Sequence, residues 1–238
     1  MGMPGIGKKR NYNASQQYPA KWSFGKDSTE KSLLVDGFVI DMIEVKSLPA
    51  QQGNVPYEWL LTGGWQNPAD LPPDRFWRTL VGDRGPDGEN PSIHHQRACR
   101  HAYAVGVEED DLRTERSIIE GCPDMVAGFL KRVQSVVWQR CMIKTKENKM
   151  LGLVPDNANE TDLVCILYGC SVPVILRRYQ EDPTGEDHPS RTCYRFIGER
   201  YIHSMIVGGA FRIRDEKLAR LKKEKPSMEN LTVTFDLR

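Results

Sequence analysis

The chain has 238 residues, 39% of them apolar and 27% charged, and its 33 basic and 32 acidic side chains leave a formal net charge of +1. This is an ordinary globular mixture, long enough to bury a substantial core in one large domain or two small ones, and it excludes wholesale disorder. The near balance of charge supplies no global field to draw in nucleic acid or an anionic membrane.

Residues 1–20 are polar and rich in Gly, Asn and Gln, the composition of a loose arm. The first ten place their charges after a weakly apolar start, so they do not read as a secretory signal. Residues 22–25 and 32–35 flank the turn-like Lys26-Asp27-Ser28-Thr29 as a hairpin, and Asp36-Gly37 then sets a turn or bulge signal inside a β-rich run ending at Val45. Pro72-Pro73-Asp74 opens a helix with Phe76, Trp77, Leu80 and Val81 on its apolar side and Gly82 at its end. Residues 83–92 read as an exposed loop. Pro123-Asp124 starts a second helix, because Val126, Phe129, Leu130, Val133, Val136 and Val137 recur at helical spacing.

Beyond residue 140 the period changes to that of strands. Residues 141–145 and 150–154 form one hairpin, and 163–168 and 172–176 another around Gly169-Cys170. Strands follow at 194–198 and 201–206, a charged helix at 215–225 and a strand at 231–235. The pattern predicts an α+β fold with an antiparallel, barrel-like β core and a C-terminal helix. It forms a single domain over 21–238, with a mainly helical insertion at about 55–139. No stretch approaches the roughly 18 apolar residues of a membrane span. The six cysteines are scattered and read as reduced thiols, so the expected location is the cytoplasm.

Four groups of residues invite a chemical reading. Gly2-Met3-Pro4-Gly5-Ile6-Gly7-Lys8 fits the GxxxxGK template of a phosphate loop, but Lys9 stands where magnesium needs a hydroxyl and no strand precedes it. His94, His95, Cys99 and His101 form a metal alternative, since His95 and Cys99 would share a helix face. No second half-site such as CxxC follows, and a polar helix face is the ordinary reading; no cofactor is expected. Cys165, His203 and Asp162 could supply a nucleophile, base and orienting acid, although nothing in their spacing demands it. Arg75, Arg78 and Arg84 are anion-binding candidates beside Trp59, Trp65, Phe76 and Trp77, a set that otherwise reads as core.

Four blocks carry a family resemblance. They are residues 76–84 (FWRTLVGDR), 150–155 (MLGLVP), 162–177 (DLVCILYGCSVPVILR) and 194–203 (YRFIGERYIH). In this order the chain resembles the region C-terminal to the HET domain in fungal heterokaryon-incompatibility proteins. It departs where that family continues into an acidic-Gly-Glu-Ala stretch, for Ser204 and Val207-Gly208-Gly209-Ala210 stand here instead, and nothing resembles the Ser-Tyr-x-Trp-Gly signature of the HET domain. The resemblance implies a non-catalytic regulatory module in nonself recognition and cell-death control, with a protein as its partner. The alternatives are a thiol- or metal-dependent hydrolase and a small barrel that binds a ligand or nucleic acid through its arginines.

Overall fold

A computed structural model of the chain describes residues 12–16, 18–25, 32–108, 111–181, 190–203, 205, 209–224 and 231–238. In chain order these form β1 (Trp22–Phe24), β2 (Leu33–Pro49), α1 (Glu58–Gly63), α2 (Asp74–Leu80), α3 (His94–Val105), β3 (Val107–Glu108), β4 (Asp111–Leu112), α4 (Thr114–Ile119), α5 (Asp124–Val137), β5 (Arg140–Thr145), β6 (Leu151–Pro155), β7 (Leu163–Leu167), β8 (Val174–Glu181), β9 (Arg191–Glu199), β10 (Tyr201–Ile202), α6 (Gly209–Glu224) and β11 (Val233–Leu237). Strands β2, β11, β9, β8 and β7 close on themselves through the β2–β7 pairing. The fold is therefore mixed α+β around a five-stranded barrel. Its pairings are antiparallel except that of β11 with β9.

Strand β2 organises everything else. Its first half pairs with β1 and β7 on one edge and with β11 on the other; its second half carries β5, β6 and β10 as an outer sheet. The Asp36-Gly37 signal does not break it, which corrects the sequence reading at that point: β2 runs unbroken from Leu33 to Pro49. Gly37 answers a different need. A Cβ there would lie 2.2 Å from the Ile166 carbonyl oxygen and 3.0 Å from the Leu167 Cα, so glycine is what lets the two strands close. The irregularity falls later, where pairing with β7 slips between Val39 and Asp41.

Side-chain alternation sorts the core into layers. On β7, Leu163, Cys165 and Leu167 pack with Val35, Val174, Leu176 and Phe235 on one face, while Val164 and Ile166 join Phe38, Ile40 and Ile175 on the other. The outer sheet is covered twice. Cys141, Ile143 and Val154 face the barrel wall, whereas Met142 and Leu153 face a cluster built from α1, α2, α3 and α5. Helix α5 contributes Val126, Phe129, Leu130, Val133 and Val137, all buried, at about 1.5–3 kcal/mol per fully buried side chain. Strands covered on both faces show near-continuous apolar runs, which is why LVCIL in β7 shows no polar alternation.

Helix α6 begins at Gly209, six residues before the charged stretch that announces it in the sequence, and seats Ala210, Phe211 and Ile213 on the barrel. The Arg214 guanidinium lies 5.1 Å from the Tyr18 ring centre, 5.5 Å from that of Phe38 and 4.6 Å from that of Phe211, closing this contact by cation–π attraction. Of the arm expected over 1–20, residues 1–11 and 17 lie outside the described residues. Ala14 and Ser15 are buried, and their N–H groups donate to Ser171 O (2.8 Å) and Cys170 O (3.1 Å).

Asp41 locks the β5–β6 hairpin to β2. Its carboxylate accepts from the backbone N–H of Met42 (2.8 Å), Glu147 (3.0 Å) and Asn148 (2.8 Å) and from the Asn148 side-chain amide (2.9 Å). Burial opposes its charge, but these donors outweigh it and hold the carboxyl below its ordinary value of 3.8. A depressed folded-state value means stabilisation that is complete above the unfolded value and lost as the pH falls through the folded one. Asp41→Asn is expected to cost about 1–3 kcal/mol near neutrality and to narrow that gap below pH 3.8, read as urea midpoints of both proteins across the acid range.

Candidate functional site

The nucleophile candidates are not assembled. Cys165 is wholly buried among the barrel's apolar side chains, and burial pushes its thiol far above the ordinary value. Asp162, 2% exposed, takes two hydrogen bonds of 2.9 Å from the Arg177 guanidinium and one of 2.8 Å from the Asn159 N–H, so both its oxygens are engaged. His203 lies beyond the outer sheet, 3.1 Å from the Tyr201 hydroxyl, and burial lowers its pKa. It lines a wide groove with Asp74, Arg75, Lys149 and Arg212, away from Cys165.

Helix α3 divides the metal candidates between two sides. His94 and His101 are exposed, whereas His95 packs between Trp77 and Phe129 and Cys99 is wholly buried, with its thiol raised by burial. Among the described residues no group of three or more His, Cys, Asp or Glu side chains could hold a metal ion.

The predicted arginines do not converge either. Arg78 pairs with Asp83 at 2.7 Å and lies 4.8 Å from the Trp77 ring centre. Arg84 donates to the Asp83 carbonyl oxygen and stacks 5.2 Å from the Tyr12 ring centre, while Arg75 faces the groove of His203.

A different set of arginines does converge. Beside α5 lies a pocket of about 290 Å³, lined by Tyr12, Gly82, Arg132, Ser135, Val136, Arg140, Val172, Glu199, Arg200 and Tyr201. Residues 132, 135 and 136 share one face of α5, Arg140 opens β5, and residues 199–201 link β9 to β10. The Arg132 Nε donates to Val81 O (3.2 Å) and Arg84 O (3.0 Å), which fixes its guanidinium at the rim. Arg200 donates to the carbonyl oxygens of Glu199 and Ile197, yet its Nε is buried without an acceptor. Burial and the neighbouring Arg140 charge bring the Arg200 pKa down to about 10, against the pull of Glu199. Burial lowers that of Arg140 as well, with Tyr12 opposing. Both remain cationic at neutral pH. Nothing in the sequence marks this set, because its members come from a helix, a strand start and an interstrand link that only the tertiary fold brings together.

Two side chains stand out at the surface. Trp22 and Phe24 alternate onto one face of β1 with rings 5.5 Å apart, and they are 59% and 71% exposed. Among the described residues β1 pairs only with β2, so its outer edge carries unpaired backbone groups. No helix of the described residues is long and apolar enough to cross a membrane. Against known proteins, the chain matches no family model, no curated protein and no solved structure.

Proposed function

We propose that this chain is a non-catalytic interaction module of the kind found C-terminal to the HET domain in heterokaryon-incompatibility proteins, acting in the cytoplasm by binding a protein partner in nonself recognition and cell-death control. The observation that carries the binding role is the aromatic ledge of β1. Large apolar side chains at an unpaired strand edge combine contact area with main-chain hydrogen-bonding capacity, the two ingredients of strand-addition recognition. The burial of Cys165 and the pairing of Asp162 with Arg177 argue against the alternative of a thiol-dependent hydrolase at Cys165, His203 and Asp162, since a nucleophile sealed in a core cannot meet a substrate. The four ordered sequence blocks support the family assignment.

The test is partner capture from cells of the protein's own source, comparing the parent with the Trp22→Ala/Phe24→Ala double variant. Exposed positions cost little on truncation, within about 0.5 kcal/mol each, so the thermal midpoint should hardly move. Partner recovery should fall at least tenfold. Full recovery with the ledge removed would refute the assignment of this edge.

A further inference from the structure

We propose that the pocket beside α5 is a binding site for a phosphate monoester, with Arg140 and Arg200 as its direct ligands and Arg132 as a preset donor at its rim. This assignment goes beyond the interaction reading and does not depend on it.

Three guanidinium groups and one carboxylate, that of Glu199, line the pocket, so three positive charges less one negative leave two positive. Neither Arg140 nor Arg200 has a carboxylate within ion-pair distance among the described residues, although each is partly withdrawn from water and the Arg140 charge disfavours that of Arg200. Half-buried like charges without counter-ions destabilise a fold, and the unsatisfied Nε of Arg200 adds the loss of a hydrogen bond. A chain that only needed to fold would gain by replacing either residue. A dianion seated between them would neutralise both net charges. The planar guanidinium fork matches carboxylate and phosphate oxygens two at a time, and a phosphate dianion brings the second negative charge that a single carboxylate lacks.

Geometry narrows the ligand. The pocket is a cavity, not a track, and the whole chain is nearly neutral, so a nucleic-acid backbone has no path to follow. Tyr12, Val136, Val172 and Tyr201 supply apolar walls for the body that carries the phosphate. The Tyr12 hydroxyl is already committed, donating to Gly82 O at 3.2 Å, so that ring serves as a wall rather than a ligand. A small phosphorylated molecule and a phosphorylated side chain of a partner share this chemistry.

The experiment uses the full chain in chloride buffer at constant ionic strength, titrated with inorganic phosphate, glycerol 3-phosphate or a phosphoserine peptide, and followed by calorimetry and thermal unfolding. Saturable binding is expected, and the tighter of the two organic probes identifies the source. Arg140→Gln and Arg200→Gln should each weaken binding at least tenfold, yet melt at or above the parent temperature in phosphate-free buffer. Arg140→Lys, which keeps the charge but loses the fork, should fold normally and bind several-fold more weakly. A structural role would produce the opposite pattern, with lower melting temperatures and unchanged affinity. Either that pattern, or stabilisation by phosphate no greater than by chloride at the same ionic strength, would overturn the proposal.

Discussion

Gly37→Ala should destabilise the protein by about 3 kcal/mol, at the upper end of what overpacking costs, because the obstacle is main chain. The new Cβ would sit 2.2 Å from the Ile166 carbonyl oxygen, and neither β2 nor β7 can retreat without breaking the pairing of Gly37 with Leu167 and Phe38 with Ile166. The contrasting position is Gly128, exposed on α5, where an added Cβ would meet nothing within 4 Å. There alanine should gain about 1 kcal/mol by restricting the unfolded chain and favouring the helix. Urea midpoints of the two variants, moving in opposite directions from the parent, provide the measurement. A loss below about 1 kcal/mol for Gly37→Ala would mean that the strands do not approach so closely.

The second large effect is expected at Arg177. Its guanidinium closes both oxygens of Asp162 at 2.9 Å and also donates to Asn157 O at 2.8 Å, stitching β8 to the connection that precedes β7. Arg177→Ala leaves a carboxylate of 2% exposure facing one remaining backbone donor. Breaking a buried pair from one side costs about 3–5 kcal/mol, and the 30% exposure of the Arg177 side chain places this case at the lower end, because water can reach part of the vacated space. Pairing the change with Asp162→Asn should recover much of the loss, since the orphaned charge is then gone. Equilibrium unfolding of the two single variants and the double variant gives the coupling energy. A coupling near zero would remove the ion pair from the account of this fold.

Local regularity decided which parts of this architecture could be read in advance. The β5–β6 hairpin and α5 were legible because alternation and helical spacing are properties of neighbouring residues, and burial then follows the same pattern. Gly37 was misleading, since a glycine after aspartate looks the same whether it permits a turn or a close crossing of strands. Helices α1 and α4, six residues each, are too short for a period to show. The barrel was legible as a class. Its closure, including the parallel contact of β11 with β9, depends on pairings distant in sequence that leave no local trace. The same applies to chemistry. Cys165 and His203 look like partners in a list of residues, but β7 and the turn after β10 carry them to different layers. Arg132, Arg140 and Arg200 look unrelated, yet the fold gathers them around one cavity.

The dependence of the barrel on β2 and β11 sets a timetable for synthesis. Phe235 faces Val35 and Leu237 faces Leu33, so the two strands that complete the wall are made some 200 residues apart. Closing so long a loop defers its reward until late and makes folding slow. Until β11 leaves the ribosome, β2 must wait with one edge open, beside the aromatic ledge of β1. At roughly 5–20 residues per second that interval lasts tens of seconds, during which the open edge of β2 is exposed to mispairing.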